Sequence, residues 1–114
     1  MRWFDFFNLK KEPLRMKVEV AKQMIDQNQA ILIDVRTPDE FDEKHIPKAI
    51  LMPVYDLELH FKKHFPNLNQ NYLIYCRSGI RSKHAQSILK SLGYQHVFDL
   101  GGIIDWPYEI TTKR

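Results

Sequence analysis

Four short apolar runs, rich in β-branched and aromatic residues, recur along the chain, and stretches with a helical repeat separate them. Ala30-Ile31-Leu32-Ile33-Asp34-Val35 is continuous rather than alternating, which predicts a strand buried on both faces. Ala49-Ile50-Leu51-Met52, stopped by Pro53, then Tyr72-Leu73-Ile74-Tyr75 and His96-Val97-Phe98-Asp99-Leu100 supply the other strands. Val18 to Gln27 sets Val18, Ala21 and Ile25 at helical spacing, with Val20 and Met24 beside them. Tyr55 to Phe65 carries Leu57, Leu59, Phe61 and Phe65, and Ser82 to Leu92 carries Ala85, Ile88, Leu89 and Leu92. Both predict helices. Thr37-Pro38-Asp39-Glu40 has the form of an N-cap with proline at the first helical position, opening a short helix through Lys44. Pro66-Asn67-Leu68-Asn69-Gln70-Asn71 is a polar loop, and Gly93 stands where a helix C-cap is expected. Strands alternating with helices predict an α/β fold with a central, mainly parallel sheet. In such sheets the site lies beyond the carboxyl ends of the strands.

The chain has 114 residues, the size of one domain, and its 44% hydrophobic and 27% charged content is that of a soluble globular protein. A single cysteine excludes an intramolecular disulfide and fits a reducing compartment. No apolar run approaches the roughly 18 residues of a membrane span. Met1 to Asn8 lacks the pattern of a cleaved signal, so a cytoplasmic location is expected. The net charge of +3 is spread along the chain, without the concentrated basic face that nucleic-acid binding requires. Residues 1–15, with Trp3-Phe4-Asp5-Phe6-Phe7, form an N-terminal extension expected to lay its aromatics on the domain or to be mobile. Residues 16–114 form the domain itself.

The chemistry concentrates in Tyr72-Leu73-Ile74-Tyr75-Cys76-Arg77-Ser78-Gly79-Ile80-Arg81-Ser82. The only cysteine ends a strand, a compact turn follows, and a helix begins after it. Backbone N–H groups and the helix dipole favour negative charge at such a place. A thiol held there as the thiolate is a nucleophile. Gly79 gives the chain freedom to curl and aim consecutive N–H groups inward. Arg81 is expected to brace the loop or a bound anion, and Arg77 to project outward and receive an anionic substrate. A buried, inert cysteine with solvated arginines is the plain alternative.

Cys76-Arg77-Ser78-Gly79-Ile80-Arg81 closely resembles the active-site loop of rhodanese-like sulfurtransferases. Leu32-Ile33-Asp34-Val35-Arg36 with Glu40-Phe41 is similar to that family's early strand and following helix. His45-Ile46-Pro47 with Ala49-Ile50 and Pro53, and Leu100-Gly101-Gly102-Ile103 with Trp106, resemble its middle and closing segments. The likeness runs from about Met16 to Trp106 and departs at Lys44 and Lys48, where the family usually has glycine. The resemblance implies a three-layer rhodanese-like domain and transfer of sulfane sulfur without a metal or organic cofactor. Cys76 would take the outer sulfur of thiosulfate or of a persulfide and pass it to a thiol, a protein acceptor or cyanide. The loop from Arg77 through Ser78, Gly79 and Ile80 to Arg81 would bind substrate and stabilise the Cys76 persulfide.

Asp34, Arg36 and Glu40 are expected to be structural residues near the site, with Arg36 pairing Glu40 to fix the loop. The Ile-Pro flank of His45 suggests a hydrogen-bonded structural histidine. His60 and His64 have the spacing of a metal pair but no evident third ligand, so a solvated helix face is expected. A phosphatase is disfavoured because four residues separate Cys76 from Arg81, one fewer than in the cradle of cysteine phosphatases, and no general acid is identifiable. Thiol–disulfide exchange lacks a second cysteine. A non-catalytic rhodanese-like module for binding or regulation is the alternative outside enzymes, although such modules often lose the nucleophile that this chain keeps.

Overall fold

The computed structural model describes residues 15–113. Four strands, β1 (Ile31–Asp34), β2 (Ile50–Leu51), β3 (Asn71–Cys76) and β4 (His96–Gly102), form one sheet in the order β2-β1-β3-β4. Every pairing is parallel, with Ile33 opposite both Ile50 and Ile74, and Tyr72 opposite Val97. Helix α1 (Val18–Asp26) precedes β1, and α2 (Pro38–Glu43), α3 (Leu57–His64) and α4 (Ile80–Ser91) connect the successive strands, with 3₁₀ turns at Val54–Asp56 before α3 and Ile103–Asp105 after β4.

The continuous apolar runs are explained by the pleat. Side chains alternate across a strand, and each face of this sheet meets its own hydrophobic layer. Ile33, Val35, Tyr72, Ile74 and Cys76 pack with Leu57 and Phe61 of α3 and Ala85 and Leu89 of α4. Leu32, Leu73, Tyr75 and Leu100 pack on the other side with Ala21 and Ile25 of α1, Ile46 and Trp106. The result is the three-layer arrangement, with β1 and β3 central and their carboxyl ends side by side.

Three elements differ from the pattern. The stretch from Tyr55 to Phe65 divides into a 3₁₀ turn at Val54–Asp56 and α3. Helix α4 begins at Ile80, two residues before the stretch predicted from Ser82, because Gly79 at φ +108° turns the chain directly into it. Strand β4 continues past Leu100 to Gly102 through a register shift, in which Ile74 faces Asp99 but Tyr75 faces Gly101. The expected aromatic extension lies outside the described residues except for Arg15, whose backbone bridges Asp99 at the edge of β4.

The two lysine departures separate cleanly. Lys44 is extended, at φ −167°, a conformation open to any residue. Lys48 is left-handed, at φ +75°. That conformation costs a non-glycine residue about 1–2 kcal/mol. Its amine offsets the cost by donating to Ile25 O and Asn28 Oδ1, each at 3.4 Å, at the carboxyl end of α1. A cation at a helix C-terminus is a favourable placement.

Candidate active site

Cys76 closes β3 and is 1% exposed. After it the chain curls through Arg77, Ser78 and Gly79 and enters α4, so the first turn of a 12-residue helix faces the sulfur. Gly79 N–H donates to Cys76 Sγ at 3.0 Å, and Ser82 Oγ lies 3.6 Å from the same atom. The loop rests on the end of β4. Ile104 N–H donates to Arg77 O at 3.3 Å, and a Cβ on Gly102 would fall 2.2 Å from that oxygen. Arg77, Ser78 and Ile80 are exposed around the buried sulfur. Beside them a cleft of about 180 Å³ is lined by Arg36, Glu40, Lys44, Arg77 and Ile104, among others.

The ion pairs differ from the expected one. Arg36 does not pair with Glu40. Its guanidinium turns back to Asp34, with Nε 2.9 Å from Oδ1 and Nη2 2.7 Å from Oδ2, and Nη2 also donates to Lys44 O at 2.7 Å. Asp34 is completely buried and Arg36 is 3% exposed, so the nearest partner that satisfies both charges wins over the one a helical turn away. Tyr75 completes the cluster: its hydroxyl bonds Asp34 and accepts Ile46 N–H at 3.1 Å. Burial, and then the Asp34 carboxylate, push its phenol far above the ordinary value, so it stays protonated.

Glu40 instead meets Arg81, 41 residues away, in two parallel hydrogen bonds of 2.8 and 2.9 Å. The same carboxylate accepts Thr37 N–H at 2.9 Å, while Thr37 Oγ1 accepts Glu40 N–H, a capping box that fixes the start of α2. Glu40 thus ties Arg81, at the start of α4, to the segment after β1. Arg81 first, with the Thr37 bonds assisting against burial, lowers the Glu40 carboxyl from 4.5 to about 2. A carboxyl lowered by folding contributes stability that is complete above its unfolded value and is lost as pH falls through the folded one. The difference in urea midpoint between wild type and Glu40→Gln should therefore be full above about pH 5 and close between 4.5 and 2. Arg81 is 35% exposed, and solvent screening holds the effect to about 1 kcal/mol. A gap independent of pH would refute the assignment.

His45 stacks on Phe41 at 3.7 Å between ring centroids, and its Nδ1 lies 2.8 Å from Phe41 O, a packed position. His60 and His64 are exposed on α3. Among the described residues, no group of three or more acidic, histidine or cysteine side chains is arranged to hold a metal. The sequence assigned no site role to three residues that shape the loop: Ser82, Asp99 and Gly102. Asp99 carried the one available signal, a charge inside an otherwise apolar strand.

A model of the rhodanese-like domain matches residues 17–107. The thiosulfate sulfurtransferase PspE of Escherichia coli is 34% identical over 73 residues, which cover 64% of this chain and 70% of that protein. A sulfurtransferase of Allochromatium vinosum is 35% identical over 88 residues, covering 76% of this chain and 80% of the other. Among solved structures, an Escherichia coli rhodanese with anions superposes with a TM-score of 0.67 at 31% identity, covering 71% of this chain and 95% of that one. The human single-domain sulfurtransferase TSTD1 gives 0.74 over 83% of this chain and 96% of its own, and at 24% identity it bears on the fold alone.

Proposed function

Because this chain belongs to the rhodanese-like domain family and is an enzyme of the sulfurtransferase class, we propose that Cys76 carries sulfane sulfur as a persulfide between a thiosulfate or persulfide donor and a thiol or cyanide acceptor. The observation that carries this reading is the Gly79 N–H aimed at a buried Sγ from a loop only four residues long. In the loading step a bond forms between Cys76 Sγ and the outer sulfur of thiosulfate. The sulfur–sulfur bond of the donor breaks, and sulfite departs with its electron pair. In the unloading step the acceptor attacks the outer sulfur, and Cys76 leaves as a thiolate. Both enzyme forms are anions at the same place, so donors fixed before the reaction stabilise each without reorganising. Arg77, exposed at the rim, meets the anionic donor.

Intact-protein mass after thiosulfate treatment should rise by one sulfur atom and return on adding cyanide or a thiol. Cys76→Ala should take up none. An unchanged wild-type mass, or a Cys76→Ala adduct equal to that of the wild type, would sink the reading.

A further inference from the structure

Ser82 Oγ, in the first turn of α4, has one proton to give, three oxygen acceptors around it and the Cys76 thiol as a donor. Asp99 Oδ1 lies at 2.7 Å, Gly79 O at 3.2 Å, Gly101 O at 3.4 Å and Cys76 Sγ at 3.6 Å. The shortest contact takes that proton, so Ser82 donates to the carboxylate and turns a lone pair toward the thiol. Asp99 Oδ1 also accepts Gly101 N–H at 2.8 Å. Cys76, Ser82 and Asp99 are at most 2% exposed. Thiol, hydroxyl and carboxylate therefore form a short buried chain of donors and acceptors, one end of which is the reacting atom.

If the thiol lost its proton to solvent, a second negative charge would arise in a buried cluster that already holds one, which burial and like-charge repulsion oppose. We propose that Asp99 is a positioning residue that takes the Cys76 proton through Ser82, so that the thiolate forms by an internal proton shift. The S–H bond breaks as a new O–H bond forms on Ser82. The original Ser82 O–H bond breaks as an O–H bond forms on Asp99 Oδ1. No electrons are exchanged, and the three groups keep a net charge of −1. The shift also relieves the crowding, because two hydroxyl protons then serve the converging acceptors, and Gly79 N–H meets the new thiolate.

This rests on Cys76 being the nucleophile of the proposed function, and it has its own signature. A thiolate made by an internal shift keeps the same population as pH changes, whereas one made by release to solvent falls about tenfold per pH unit. Among the described residues, the charged groups on the elements around the cluster include Arg15, Asp34, Arg36, Glu40, Arg77 and Arg81. Arg15 Nε stands 4.0 Å from Asp99 Oδ2, Arg36 is bound to Asp34, Arg81 is bound to Glu40, and Arg77 is exposed. Among the described residues these groups include no histidine.

The test is the rate of Cys76 alkylation by iodoacetamide, an uncharged reagent, followed by intact mass between about pH 5 and 7, above ordinary carboxyl and below ordinary thiol values. Wild type should hold a level rate, while Asp99→Asn and Ser82→Ala, each verified as folded by circular dichroism, should fall about tenfold per unit. Asparagine keeps the acceptor for Gly101 N–H, and Ser82→Ala leaves the carboxylate in place, so the two variants break the chain at different links. A wild-type rate that falls in parallel with both variants overturns the proposal, as does a level rate in both variants. Thiosulfate loading is measured separately. Failure to load with a level alkylation profile would reject the sulfur-transfer reading and leave the proton shift standing.

Discussion

Gly102→Ala is expected to cut sulfur transfer by about a hundredfold or more while leaving the Cys76 thiol in the protein. The added Cβ would stand 2.2 Å from Arg77 O, 2.6 Å from Ser78 Cα and 2.8 Å from Arg77 C. Carbon contacts are favourable only near 3.5–4.0 Å. All three atoms are backbone, so no rotamer change relieves the overlap, and the loop must lift off β4 by about an ångström or β4 must bend away. A displacement of that size at a reacting centre can cost about 10²-fold. Gly102 itself is extended, at φ −111°, so alanine suits its backbone and the close approach of the loop is the sole cause. Gly101 offers the contrast. At φ +87° it would be strained by a side chain, but its Cβ would meet the far end of the Arg15 side chain at 2.8 Å, which can swing aside. Gly101→Ala should therefore lose stability more than it loses turnover. Steady-state assay with thiosulfate and cyanide, beside urea melts, separates the two. A Gly102→Ala enzyme of wild-type rate would mean that the loop does not depend on its seat on β4.

Replacing Arg36 by methionine should destabilise the domain by about 3–5 kcal/mol, the range for removing one partner of a buried pair. That is a large share of the roughly 5–15 kcal/mol that holds a domain folded. The size follows from what remains. Asp34, with no exposure, keeps the Arg36 backbone N–H at 2.9 Å and the Tyr75 hydroxyl, but loses all three guanidinium contacts and the countercharge. Lys44 O loses a donor at the same time. The double variant Asp34→Asn/Arg36→Met should recover much of the loss, because no uncompensated charge is then buried. Urea midpoints of the two singles and the double provide the cycle. A single variant within 1 kcal/mol of the wild type would show that water reaches this cluster and supports the carboxylate.

The fold was legible in the sequence because its information is local. β1 and β3 stand out as continuous aliphatic and aromatic runs with no polar face, which only a sheet covered on both sides can accommodate, and Thr37-Pro38 announces α2 through its own cap. The lone cysteine at a strand end, followed by glycine, marked the candidate site in the same way. What escaped depends on distant residues meeting. Arg36 and Glu40 are separated by the spacing of one helical turn and of opposite charge, a natural pair on paper. Their real partners are fixed by the turn after β1 and by the arrival of α4 from 41 residues away. The extension of β4 to Gly102 was hidden because two glycines look like the end of a strand. Here they are instead the surface on which the loop lies, and only the register shift after Asp99 reveals it. Lys48 carries no mark of its left-handed backbone, since the compensating bonds come from the end of α1.

The edges of the sheet bear on the behaviour of the protein at high concentration. Unpaired strand edges are templates on which a second molecule can add a strand, the first step toward aggregation. Here one edge, β2, is two residues long, too short to recruit a neighbour in register. At the other edge Arg15 already bridges Asp99 of β4. The contact that brings an arginine beside the buried aspartate therefore also acts as a cover strip. Trimming the chain past Arg15 would uncover the flank of β4 to self-association.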